Sequence, residues 1–154
     1  MSRPGGIWRG GECLWPQARK ADDFLARAWG LLGKRGLEEE QALWLSPCSS
    51  IHMWGMRIPL DLIWLDAQDR VVAVQTDIRP WRWAFPGRRS GACAVIEAAS
   101  HSIVRLKIQP GQALTWQDAH ATEAGDSAAE NRNPNLGYHT EDRVAIRMIR
   151  IRSG

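Results

Sequence analysis

Side chains able to do chemistry concentrate in residues 48–97. Cys48 and His52 lie four positions apart, the spacing of half a metal site if the segment were helical. In an extended segment the two side chains share a face but stand about 13 Å apart. A turn over residues 47–50 would close that gap. No second pair has zinc-like spacing, because His101, His120 and His139 are scattered. Asp61 and Glu97 add two carboxylates. If the strands bearing them are neighbours, His52, Asp61 and Glu97 could converge with Cys48 as a nucleophile. A hydrolase of that kind needs a thiolate within reach of the imidazole and an acid that orients the ring. The competing expectation is that Arg57 pairs with Asp61 or Glu97, since a carboxylate beside a core is costly when unsatisfied.

A different chemistry is suggested by the aromatics. Nine tryptophans stand against one tyrosine and two phenylalanines, so indole carries most of the aromatic packing and some rings are expected to be only partly covered. Trp54, Trp81 and Trp83 fall in or beside loops, and Trp81-Arg82-Trp83 puts two indoles on one face if extended. Such faces stack on sugars, peptide aromatics or cations; otherwise the rings plug the ends of a small barrel. Arg79, Arg82, Arg88 and Arg89 give the same loop a cationic rim. A formal charge of +3 allows weak attraction to anions but makes no nucleic-acid footprint, and no nucleic-acid motif is present. The glycine-punctuated run at 30–36 lacks the GK[ST] ending of a phosphate loop and does not follow a strand, so no cofactor is implied.

The elements that must position these residues read mainly as β. Residues 1–20, rich in glycine, proline and basic residues, read as a loose N-terminal arm, or as an edge strand around 7–15. Asp22 or Asp23 offers an N-cap for a helix with Phe24, Leu25, Ala28 and Leu32 on one side and Gly33 as its stop. Short strands are expected at 42–46 and 50–54, the latter stopped by Gly55. Pro59 opens a run in which Leu60, Leu62 and Trp64 point one way and Ile63 and Leu65 the other. Apolar residues on both faces predict a central strand covered on both sides. Residues 66–69 turn the chain into a hairpin partner over 70–78. An irregular loop covers 79–91, a strand 93–98, a short helix 101–108, and Pro110-Gly111 leads to a last strand at 113–116.

Residues 118–142 are polar and read as linker. The segment that follows mixes Val144, Ile146, Ile149 and Ile151 with four arginines. It reads as an edge strand docking on its own domain, or on a second copy to give a homodimer. The longest apolar runs are too short for the roughly 20 residues of a membrane-spanning helix. Three cysteines (Cys13, Cys48, Cys93) without a CxxC spacing read as free thiols in a reducing cytoplasm.

The motifs of residues 21–116 together resemble the bacterial and archaeal family called domain of unknown function 192. They are ARAWGLLGKRGL, PCSSIHMWGMRIPLDLIWLD with its histidine–methionine–proline–aspartate order, RVVAVQTDIRPWR, the strand ending at Glu97, and the QPGQ turn at 109–112. The chain departs from the family pattern at Met53, Ser100 and Gln112. The resemblance implies a compact, mainly β domain, a small barrel or sandwich with one or two short helices, and it implies no reaction. The expected organisation is an arm over 1–20, a core domain over 21–117 and a linker with a basic-aliphatic segment over 118–154. The leading expectation is a non-catalytic binding or accessory domain holding a peptide or small anionic ligand at the barrel mouth. His52, Trp54, Arg57, Asp61, Arg79, Trp81, Trp83 and Glu97 are its candidate residues. The alternatives are a small hydrolase or metal-dependent enzyme using His52, Asp61, Glu97 and Cys48, and a structural partner in a larger assembly.

Overall fold

Strand β5 (Leu60–Leu65) has all six of its residues buried, although it stands second from one edge of the main sheet. In this computed structural model, which describes residues 2–21 and 36–119, the strand lies between β6 (Val71–Ile78) and β8 (Ala94–Ala99), antiparallel to both. Its alternation works as the pattern predicts. Ile63 and Leu65 enter one apolar cluster with Trp15, Trp44 and Ile96. Leu60, Leu62 and Trp64 enter a second, on the opposite face, with Leu43, Leu45 and Val95.

The remaining strands extend this sheet to seven, in the order β6-β5-β8-β3-β2-β1-β9. β1 (Ser2–Arg9) and β2 (Glu12–Ala21) form an antiparallel hairpin. β3 (Gln41–Leu45) runs parallel to β2 and antiparallel to β8, while β9 (Thr115–Asp118) pairs with β1. A separate two-stranded ribbon, β4 (Ile51–His52) with β7 (Trp83–Ala84), lies apart from the sheet. One four-residue helix, α1 (Ser102–Arg105), follows β8.

The first twenty residues are therefore not a loose arm. Ile7, Trp15 and Ala21 are fully buried, and Leu14 and Ala18 nearly so. Glycine and proline weaken a strand reading, but here they serve it. Gly10, with φ +58°, makes the hairpin turn. A side chain at Gly5 would collide with the Gln117 carbonyl and the Trp116 indole, so only glycine lets β9 approach β1.

The sheet does not close into a barrel. Its two edges meet at one corner, where Val71 N–H donates to the Gln112 carbonyl and Leu114 N–H to the Asp69 carbonyl, at 2.8 and 3.0 Å. A single bridge, Arg70 to Ala113, forms there instead of a continuous ladder. The result is sandwich-like, with the ribbon laid over one face of a strongly bent sheet. The helix expected over 22–32 and the segments expected beyond residue 119 fall outside the described residues.

Candidate functional site

The ribbon has an inner and an outer face, set by the period of two along a strand. Inward, Ile51, Met53 and Ala84 are buried in the second cluster. An outward face of such a ribbon is normally polar; here it carries His52, Trp54, Trp83 and Phe85. His52 lies directly opposite Trp83 in the register. Trp54 sits two residues along one side and Phe85 two along the other. The rings touch: His52–Trp83 at 5.7 Å, His52–Trp54 at 5.9 Å, Trp54–Trp83 at 5.5 Å and Trp83–Phe85 at 6.1 Å between centroids. Trp54, Trp83 and Phe85 nonetheless remain 51–56% exposed. Isolated exposed apolar residues need no explanation, but a contiguous ring array does.

Three devices hold the array in place. Met53 N–H donates to the Arg82 carbonyl and Trp81 N–H to the Met53 carbonyl, at 2.8 and 2.9 Å, extending the ribbon's pairing beyond its two strands. Gly55, with φ +76°, turns the chain immediately after Trp54. Gln75 on β6 accepts from the buried Trp64 indole N–H at 3.0 Å and donates to the Phe85 carbonyl at 2.9 Å. It ties the outer array to the buried core strand β5.

Arginines flank the array along the chain. Arg57, Arg79, Arg82, Arg88 and Arg89 are all exposed. Among the described residues the ion pairs are Arg3–Asp118, Arg9–Glu12 and Arg105–Glu39, so these five guanidinium groups are in none of them. Residues 52–57 and 79–91 contain no aspartate or glutamate.

The other candidate residues go elsewhere. Asp61 is fully buried and shares the face of Ile63 and Leu65. Its Oδ1 accepts from the Asp77 N–H and its Oδ2 from the Ile103 N–H, both at 2.9 Å. It meets neither His52 nor Arg57. Glu97 pairs in register with Leu43 and Leu62, and so lies on the second-cluster face. The sheet itself separates the two carboxylates. The Cys48 thiol donates to the Ser50 carbonyl at 3.2 Å, while the His52 ring packs on indoles. His52, Asp61, Glu97 and Cys48 are thus not brought together, and Arg57 pairs with neither carboxylate. Trp81, at φ +66° and 70% exposed, steps out of the strand and leaves Trp83 without the neighbour expected of it. Phe85 takes that place. Phe85 and Gln75 were not picked out by the sequence reading, although the alternation Trp81–Trp83–Phe85 was there to suggest the former. Among the described residues, no three of His, Cys, Asp and Glu cluster as a metal site.

Glu97 has a physical consequence of its own. Burial pushes its carboxyl from 4.5 up to about 7. The folded chain therefore binds this proton more tightly than the unfolded chain. The associated stability is fully present below pH 4.5 and is lost as the pH rises to about 7. The loss amounts to about 3 kcal/mol. Glu97→Gln should remove that part of the pH dependence. Urea denaturation of both proteins from pH 4.5 to 8 checks it: parallel stability curves would mean the carboxyl titrates normally.

With this geometry in view, the chain is one of a recognised family of small β domains. It belongs to the domain of unknown function 192 family, described as "Uncharacterized ACR, COG1430", which it matches over residues 7–116. The match begins inside β1, so the N-terminal hairpin is part of the family's domain. The chain is 29% identical over 124 residues to UPF0127 protein TK1120 of Thermococcus kodakarensis, covering 77% of this chain and 73% of that one. It is 32% identical over 105 residues to UPF0127 protein PH1112 of Pyrococcus horikoshii, covering 65% and 87%. A crystal structure of a protein of unknown function from Novosphingobium aromaticivorans has the same fold. Its TM-score is 0.62 at 22% identity, covering 75% of this chain and 85% of that one.

Proposed function

We propose that this protein is a non-catalytic binding domain that holds a peptide or small anionic ligand on the outer face of the β4–β7 ribbon. The observation that carries the reading is the contiguous array of His52, Trp54, Trp83 and Phe85, half exposed and pinned from beneath by Gln75. Rigid aromatic side chains provide large contact area at little entropic cost, which is why indoles dominate binding hot spots. The binding face is the ribbon rather than a barrel mouth, since the sheet is open at its corner. Arg57, Arg79 and Arg82 supply the positive charge that favours an anionic partner. Asp61 lies beneath the surface, where it accepts from the Asp77 and Ile103 amides, and Glu97 is buried on the second-cluster face. Cys13, Cys48 and Cys93 are joined in no disulfide, which accords with a cytoplasmic setting, and among the described residues no helix is long and apolar enough to cross a membrane.

The test is a random-peptide array probed with the full chain and with Trp83→Ala and Phe85→Ala. The wild-type protein should retain a defined set of peptides that both variants lose by about tenfold or more, the scale of a hot-spot aromatic. Equal retention by all three, with unchanged folding by circular dichroism, would remove the ribbon as the site.

A further inference from the structure

We infer that the partner of this face is an extended, acidic peptide segment whose alternate side chains seat on the rings while its carboxylates meet the flanking arginines; this rests on the binding reading above. Two observations select it. The first is spacing. His52 lies beside Trp83 across the ribbon, while Trp54, Trp83 and Phe85 follow one another along it at 5.5 and 6.1 Å between centroids, close to the roughly 6.6 Å between side chains i and i+2 on one face of an extended chain. An extended peptide laid along the ribbon can place successive apolar side chains over successive rings. The second is charge. Residues 52–57 and 79–91 contribute five exposed arginines and no carboxylate. None of the five is in an ion pair among the described residues. The planar guanidinium fork matches a carboxylate bidentately, so arginine selects anions by geometry as well as by charge.

Ring orientation separates a peptide from a nucleic-acid strand. Successive bases need separate, open ring faces on which to stack. Here Trp83 meets His52 and Trp54 nearly edge to face, at 69° and 74°, and stacks on Phe85 at 6°, so each of these rings covers part of its neighbour. The result is a corrugated apolar patch, suited to side chains that fit between rings. A net charge of +3 is also small for a protein that must neutralise many phosphates.

The experiment titrates tryptophan-free octapeptides into the full chain, each with a central Leu-Ser-Leu-Ser to seat on the rings and two residues of glutamate, of glutamine or of lysine at either end to reach the flanking arginines. Binding is followed by fluorescence anisotropy of a label on the peptide. A thymidine dodecanucleotide and vesicles containing phosphatidylserine are run beside them. The glutamate peptide should bind about tenfold more tightly than the glutamine peptide, the low end of what one charge-assisted hydrogen bond contributes. That advantage should shrink between 50 and 300 mM salt and in the Arg79→Gln/Arg82→Gln variant. The lysine peptide should bind weakest. Equal binding of the glutamate and glutamine peptides, lost in Trp83→Ala, would overturn the acidic preference while leaving the ribbon as a binding face. Tighter binding of the oligonucleotide or the vesicles than of the glutamate peptide would overturn the partner class. Failure of every octapeptide, with no retained set on the peptide array, would overturn both readings together.

Discussion

Asp61→Ala should lower the stability of this protein by about 3 kcal/mol, because it takes the buried acceptor from two backbone N–H donors at about 1–3 kcal/mol each. Both amides it satisfies are of a kind that secondary structure leaves over. In the β5–β6 ladder, Leu60 faces Ile78 but Leu62 faces Gln75, so the register slips between them. Asp77, at φ +54°, belongs to the extra length. Its N–H has no place in the ladder and goes to Asp61 Oδ1. At α1, His101 occupies the N-cap position without a side-chain cap, and the free Ile103 N–H goes to Asp61 Oδ2. One carboxylate on β5 therefore fixes both a bulge and a helix start. Asp61→Asn keeps one oxygen and should lose less than Asp61→Ala. Urea denaturation of the three proteins checks the order; a loss below 1 kcal/mol for alanine would mean water replaces the carboxylate at little cost.

The misplacement of Asp61 in the sequence reading has a physical origin. A carboxylate beside histidine, cysteine and glutamate suggests catalysis or ion pairing, because the side chains are what a sequence displays. Its partners here are backbone amides, left over by a bulge and by a four-residue helix, and every residue carries one. Nothing in the residue types near position 61 distinguishes the two cases. Glu97 differs: its face follows from strand alternation once β8 is in register, yet that register depends on pairing with β3 and β5 from distant parts of the chain.

The fold was legible where local pattern and global packing agree. Strands β3, β5, β6 and β8, the 66–69 turn and α1 all fall within a residue or a few of their expected positions, because each carries its own alternation or turn residues. The N-terminal hairpin was legible only as a possible edge strand at 7–15, since its glycines and prolines lower strand propensity while the close approach of β9 requires a glycine at position 5. The open corner was not legible either. Whether a bent sheet closes depends on how residues 111–114 meet 69–71, a contact between segments that carry no signal for each other. In the site, Trp54 and Trp83 stood out by their neighbours in sequence. Trp81 did not join them, because a positive φ redirects it at the ribbon's end.

Leu62→Ala is the sharpest check on this architecture and should cost about 2–5 kcal/mol, the range for buried large-to-small changes. Leu62 is fully buried on the second-cluster face, between Gln75 on β6 and Glu97 on β8. Two effects push the loss towards the upper end. The site cannot easily collapse, because strands on both sides hold the β5 backbone in place, so a cavity would persist. The cavity would also open beside Glu97, whose carboxyl is disfavoured as an anion by the apolar packing around it. If water enters, the carboxylate is better solvated, and the pH dependence assigned to Glu97 should weaken in the same variant. Chemical denaturation at pH 5 and pH 8 reads both effects. A loss well under 1 kcal/mol at both pH values would place Leu62 outside the core, and with it the two-faced reading of β5.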